Sequence, residues 1–211
     1  MGDRIEKIDQ KLEPITAILM AVVIVATAWS AYQATLWGGI QTFLLRDVNS
    51  ASMKFILNTI QQGQRTGLDA LLFIEYIKAL HNNDQELADF FLERVRPELR
   101  VAIEAWLETD PFENPNAPPH PFVMPDYVTD FAKEAEQFAK ESELKLEEAQ
   151  QANQHSDNYV LLTVLYASVL FIGSIITKFS SKQLRLIVLI AGLVIFSVAT
   201  GMLFTMPIAT E

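Results

Sequence analysis

Apolar and charged positions separate sharply along the 211-residue chain. Three stretches carry no Asp, Glu, Lys, Arg or His: Pro14–Leu45, Asn158–Thr177 and Leu186–Thr210. Each is long enough to cross a hydrocarbon core of roughly 30 Å as a helix of about 20 residues, the conformation that satisfies every backbone hydrogen bond where water is absent. The pattern predicts an all-α membrane protein with three transmembrane helices at residues 14–37, 158–177 and 186–207. A helical extracytoplasmic domain, residues 38–157, is expected between the first two spans.

The first uncharged stretch is longer than a bilayer needs. Its 32 residues would reach about 48 Å as a helix. Beyond them Leu36, Ile40, Phe43, Val48, Ala51 and Phe55 recur at spacings near three and four, with no proline before Pro97. The spacing predicts one helix from about Pro14 past Ile60, with Gly38-Gly39 and Gly63 as candidate hinges. A matching element precedes the second span: from Asp126, the expected N-cap, Phe131, Ala135, Phe138, Leu146 and Ala149 mark an apolar stripe running on into Tyr159. These two helical stalks are expected to pack antiparallel. Between them the pattern predicts a helix over Leu68–Leu80 ending at His81-Asn82-Asn83-Asp84, a second capped by Asp84 with Leu87, Phe90, Phe91 and Val95 on one face, and a third over Glu98–Glu108. Residues 110–125, DPFENPNAPPHPFVMP, hold six of the nine prolines. Proline's fixed φ and missing N–H exclude regular helix there.

Charge assigns the sides. Arg4, Lys7 and Lys11 in the 1–13 segment, and Lys178, Lys182 and Arg185 in the 178–185 loop, fall on one side of a three-span chain, and the positive-inside rule makes that side cytoplasmic. The 208–211 tail is then external. Residues 46–157 carry ten Lys/Arg against twenty-one Asp/Glu, a balance of −11 beside −10 for the whole chain. Such a surface repels nucleic acid and anionic head groups. The mixed charge of residues 1–13 and the length of the apolar run favour a retained anchor over a cleaved signal peptide.

The chemistry on offer is sparse. There is no cysteine, which removes thiolate catalysis, disulfides and Cys-based metal sites. His81, His120 and His155 lie far apart without ligand spacing. Glu134, Glu136, Glu141, Glu143, Glu147 and Glu148 are interleaved with Lys133, Lys140 and Lys145 as in a solvated helix face. No phosphate-binding loop, nucleophile elbow or calcium loop is present. The expectation is a non-enzyme without cofactor or metal.

Three groups remain as contact candidates. Ala26, Ser30, Ala34 and Gly38 recur every fourth residue and predict a small-residue packing ridge on the first span, next to an interfacial cluster of Trp29, Tyr32, Gln33 and Trp37. Phe112, Phe122 and Met124 in the Pro-rich loop either staple onto neighbouring helices or contact a partner. Asp157 and Asn158, in QHSDNY at the head of the second span, are the candidate pore mouth.

Residues 94–127, 152–171 and the AYQATLW run at 31–37 resemble a family of uncharacterised bacterial three-span inner-membrane proteins, through the Pro-rich stretch followed by SDNYVL. The resemblance implies a multi-pass protein of the bacterial inner membrane and assigns no catalytic residue. The readings converge on a non-catalytic scaffold or accessory subunit that forms a homo-oligomer or binds a membrane-protein partner within the lipid bilayer. A homo-oligomeric, cation-permeable channel with an acidic vestibule is the alternative.

Overall fold

A computed structural model describes residues 2–179 and 181–210, and of residues 2–15, 177 and 182 the backbone alone. The side chains of Arg4, Lys7, Lys11 and Lys182, on which part of the expected orientation rests, lie outside the described residues, as does Glu211 of the expected tail. The chain is all-helical, with no strand among the described residues. Its elements are α1 (Gly2–His81), α2 (Gln85–Arg94), α3 (Pro97–Leu107), a 3-10 turn (Pro121–Val123), α4 (Asp130–Ile175), a second 3-10 turn (Ile176–Lys178) and α5 (Lys182–Thr205). Three of these helices, α1, α4 and α5, are long and apolar enough to cross a membrane.

Helix α1 differs from its expected form by absorbing the next predicted helix: it runs unbroken through Gly38-Gly39, Gly63 and Gly67 to His81. A glycine costs a helix interior only about 1 kcal/mol relative to alanine, too little to outweigh the packed turns on either side. The helix ends at Asn83, whose φ of 58° is the left-handed conformation Asn tolerates. There the Asp84 N–H returns to the Ala79 carbonyl at 3.0 Å, closing the last turn. Asp84 then caps α2 by accepting from the Leu87 N–H at 3.1 Å. Pro97 opens α3, where its missing N–H leaves no bond unmade.

The chain divides into two compact units, residues 1–46 with 145–211 and residues 47–144. In the first, Val23 and Ala34 of α1, Tyr159, Leu162, Tyr166 and Val169 of α4, and Ala199 of α5 form the buried centre. The outer surface of these helices is apolar, with Ile18, Val25, Phe171, Ile187 and Val194 all more than half exposed. That inversion suits lipid as solvent and is costly in water. Close approach between α4 and α5 occurs at Gly192, where an added Cβ would lie 3.0 Å from Ile172 Cγ2. At Gly201 of α5, by contrast, an added Cβ would meet open space.

In the second unit α1 and α4 run antiparallel. Ser52 Oγ meets Ser142 Oγ at 2.8 Å, Lys54 Nζ sits 5.0 Å over the Phe138 ring and Arg65 lies 4.5 Å over Phe131. The core at the other end gathers Tyr76, Ala79, Ala88, Val95, Leu99 and Ile103. Helix α2 is rotated from the expected face: Ala88, Phe91, Leu92 and Val95 point inward, whereas Leu87 and Phe90 are exposed. The cap of α4 also moves, from Asp126 to Thr129. Residues 124–128 form tight turns after Pro125, and Thr129 Oγ1 accepts from the Ala132 N–H at 3.3 Å.

Candidate functional site

The small-residue ridge is partly buried in its own unit. Ser30 is fully buried and Ala34 nearly so, while Ala26 and Gly38 are half-buried. Their small side chains leave room for α4: Ser156 Oγ donates to the Ala34 carbonyl at 2.9 Å, and a Cβ at Gly38 would touch the same Ser156 at 3.7 Å. The Ser30 hydroxyl turns back to the Ala26 carbonyl at 2.8 Å. Thr27, Thr163, Ser168 and Ser197 do likewise to carbonyls four residues earlier. These hydroxyl protons are satisfied within their own helices.

Just beyond the ridge, Gln33 is 99 % buried and reads the backbone of Ala209 from both sides, accepting its N–H at 2.8 Å and donating to its carbonyl at 3.3 Å. The Trp37 indole N–H and the Tyr159 hydroxyl both donate to the Pro207 carbonyl at 3.2 Å. The extended segment after α5 is thus clamped by donors from α1 and α4. A primary amide supplies one donor and one acceptor side by side, which matches a single residue of extended chain. Sequence inspection placed Gln33 and Trp37 in an interfacial belt and had no signal for their partner, because 176 residues separate Gln33 from Ala209.

The Pro-rich loop staples onto its own unit. The Trp106 indole donates to the Pro118 carbonyl at 2.6 Å, and Phe122 packs edge-on against Phe73 and Tyr127 at 5.7 and 5.2 Å. Of the three proposed contact residues, Phe122 and Met124 are half-buried. Phe112 is exposed, although its ring still meets Trp106 at 5.9 Å. At the candidate pore mouth, Asp157 is exposed and accepts from Asn153 Nδ2 at 3.0 Å, while Asn158 is half-buried one turn above the core.

A buried polar network in the second unit was not foreseen. Asp69, 98 % buried, pairs with the Arg96 guanidinium and accepts from the Tyr127 hydroxyl at 2.8 Å. Arg96 also donates to the Arg65 carbonyl at 3.4 Å. Tyr127 lies 3.3 Å from Thr66 Oγ1, Gln62 Nε2 donates to that same oxygen at 3.2 Å, and the Thr129 hydroxyl donates to Gln62 Oε1. Burial, reinforced by the adjacent Asp69 carboxylate, pushes the Tyr127 phenol up to about 12. The network ties α1 to the start of α3 and to the segment that launches α4.

Opposite this network, α1 turns an apolar face outward. Met53, Leu57, Ile60, Leu68, Leu71 and Ile74 are 46 to 62 % exposed. The three charged residues among positions 53–74 are engaged with neighbouring elements: Lys54 and Arg65 lie over the α4 rings, and Asp69 pairs with Arg96. The three charged groups of this stretch thus engage the unit's own elements, while these six apolar groups face away from them. Elsewhere the same unit is charged, with Lys140–Glu136 and Lys78–Glu75 pairs at 2.6 and 2.7 Å on exposed surfaces. Among the described residues no group of three or more His, Asp or Glu side chains is placed to hold a metal. A cleft among Met20, Val23, Val169, Gly173 and Leu189 is almost wholly apolar.

These features define an all-α protein with three helices long and apolar enough to cross a membrane. No protein-family model, curated protein or solved structure matches the chain.

Proposed function

We propose that the chain is a non-catalytic integral membrane scaffold or accessory subunit, whose three spans anchor it and whose acidic helical unit, outside the cytoplasm, binds another polypeptide. The observation that carries this reading is the outward apolar face of α1. Six large side chains, each about half exposed along one face of an acidic unit, forgo about 1 kcal/mol each relative to full burial. A contiguous patch of this kind marks a surface that is covered in use.

The orientation rests on the basic residues Lys178 and Arg185, which close the short connection between α4 and α5 and belong on the cytoplasmic side. A bacterial inner membrane is the setting that the resemblance of the 94–127 and 152–171 stretches suggests. The cation-channel alternative has weaker support. The hydroxyls of Thr27, Ser30, Thr163, Ser168 and Ser197 donate to their own helices, and no charged side chain lies within the apolar runs to attract or relay an ion.

The test is to solubilise the full chain in a mild detergent and measure its native mass together with any protein that co-purifies. A stable complex, homo- or hetero-oligomeric, is expected, and a monomer without companions overturns the reading. Cysteines introduced at exposed sites such as Glu86 and Glu113 should react with an impermeant thiol reagent from outside the cytoplasm. Labelling solely from the cytoplasmic side reverses the orientation.

A further inference from the structure

The spacing of the outward face specifies more than that it is covered. Positions 53, 57, 60, 64, 67, 71 and 74 step by 4, 3, 4, 3, 4 and 3 residues and read Met, Leu, Ile, Gln, Gly, Leu, Ile. An average of 3.5 over three turns and more is the signature of a seam that meets another helix along its length, since a straight helix contacting an irregular surface has no reason to keep it. The inner face follows its own series, through Ala51, Asn58, Gln62, Asp69 and Tyr76, which is already engaged within the unit. Helix α1 therefore carries two seams on opposite sides, and the outer one has no partner among the described residues.

We infer that the outer seam of α1, Met53–Ile74, pairs with the same seam of a second copy of this chain, parallel and in register, with Gln64 facing Gln64. This deepens the scaffold reading and rests on it. Three observations select a second copy over a different protein. First, Gln64 is the one polar side chain among the large residues of the seam. A primary amide is its own complement, donating and accepting, so two copies in register satisfy each other at that level, whereas an apolar helix would leave the amide unpaired. Second, between Lys54 and Glu75, which flank the two ends of the seam and are engaged with Phe138 and Lys78 of the same chain, the flanking positions Ile56, Gln61, Gly63, Leu68 and Ala70 carry no charge. Charged flanks are what direct a helix to a partner of opposite sign. Along the middle of the seam they are absent, in a chain of net charge −10, so two acidic copies meet little repulsion along this strip. Third, all copies of a membrane-anchored chain insert with the same orientation, which makes parallel pairing the geometry available to them. Gly67, one seam step after Gln64, lets the two backbones approach closely at the centre.

The absence of cysteine makes the test direct. Single cysteines at Leu57, Ile60, Gln64 and Leu71 in the full-length chain, oxidised in native membranes, should each give a covalent dimer severalfold more abundant than one at Thr59, which is exposed but off the seam. Q64L should retain the dimer while making cross-linking less selective between neighbouring seam positions, because the polar pair that fixes register is gone. Equal cross-linking at Thr59 and at the seam reports collision and overturns the inference. So does seam cysteine that fails to cross-link while a lipid-borne quencher reaches a label at those sites, which would make the bilayer the occupant. No seam cross-link, together with a native complex containing a different protein, overturns the second-copy assignment and leaves the scaffold reading intact. A companionless monomer overturns both.

Discussion

The two units expose apolar side chains to equal degree and for opposite physical reasons. In the unit built from residues 1–46 and 145–211, Val25 and Ile187 are exposed on all sides of helices that contain no charge over an entire bilayer's length. Lipid is their solvent, and the exposure needs no protein partner. In the unit of residues 47–144, Leu68 and Leu71 are each 62 % exposed on a helix that buries Asp69 and Asn58 on its other side. If, as proposed, water is the solvent there, the same exposure marks a surface for a partner to cover. An exposed leucine is informative only once the medium and the opposite face are known.

The contrast extends to how each unit buries polarity, and the largest expected effect comes from breaking the ion pair of the second. Replacing Arg96 with Met leaves the Asp69 carboxylate buried with the Tyr127 hydroxyl alone. Loss of one partner from a fully buried pair costs about 3 to 5 kcal/mol. Arg96 is partly exposed, 31 % of its side chain being accessible, so solvent already screens the pair and a loss of about 3 kcal/mol is expected. Chemical unfolding of the full chain, followed by a probe in residues 47–144, measures it. An unchanged midpoint would show that the network adds nothing. The surface pair Lys140–Glu136 should be silent in the same assay, since exposed pairs contribute little.

In the first unit the corresponding test is steric. Ser30 is fully buried one turn before the core residue Ala34, so Ser30→Leu forces a larger side chain into a filled position, at an expected cost of about 2 kcal/mol. Heating in detergent should show a lower midpoint and weaker association of α1 with α4. Unaltered behaviour would count against that face. Gln33→Leu is gentler, because it preserves volume and removes the clamp. It strands the Ala209 N–H and carbonyl, at about 1 to 2 kcal/mol. Its measurable consequence is local: a spin label at Ile208 should gain mobility while the spans stay folded.

These residues also show where sequence is informative and where it is not. The three long apolar helices, the Asp84 cap and the helix expected over Glu98–Glu108, found at Pro97–Leu107, are legible because apolar period and capping chemistry are local properties. Leu87 and Phe90 were misplaced since apolar identity alone does not choose between adjacent faces of a short helix. Only the packing of Ala88 and Phe91 onto Tyr76 and Ala79 chooses. The clamp at Ala209 and the Asp69–Arg96–Tyr127 network were illegible for another reason. They join residues 27 to 176 positions apart through polar groups that have no periodicity. The Asp126 cap was legible and wrong: Pro125 favours a turn, and Thr129 captures the helix four residues later.

The smallest effect is also the most specific test of the polar network. Tyr127 has its phenol raised from 10.0 to about 12 by burial and by Asp69, so the folded state holds that proton more tightly than the unfolded chain does. Its contribution to stability is then complete below pH 10 and is lost as pH rises from 10 toward 12. Because the phenol is only half-buried, the amount is on the order of 1 kcal/mol. Tyr76 is raised too, by burial and then by Asp89 and Glu104, so the wild-type profile alone does not isolate Tyr127. Subtracting the profile of Tyr127→Phe does. That variant keeps the ring against Phe122 and deletes the hydroxyl with its contacts to Asp69 and Thr66. Its stability relative to wild type should be lower by about 1 kcal/mol at neutral pH, with the gap closing above pH 10. A gap independent of pH would mean that the hydroxyl packs beside Asp69 without its proton being held, and the network would then reduce to the Asp69–Arg96 pair.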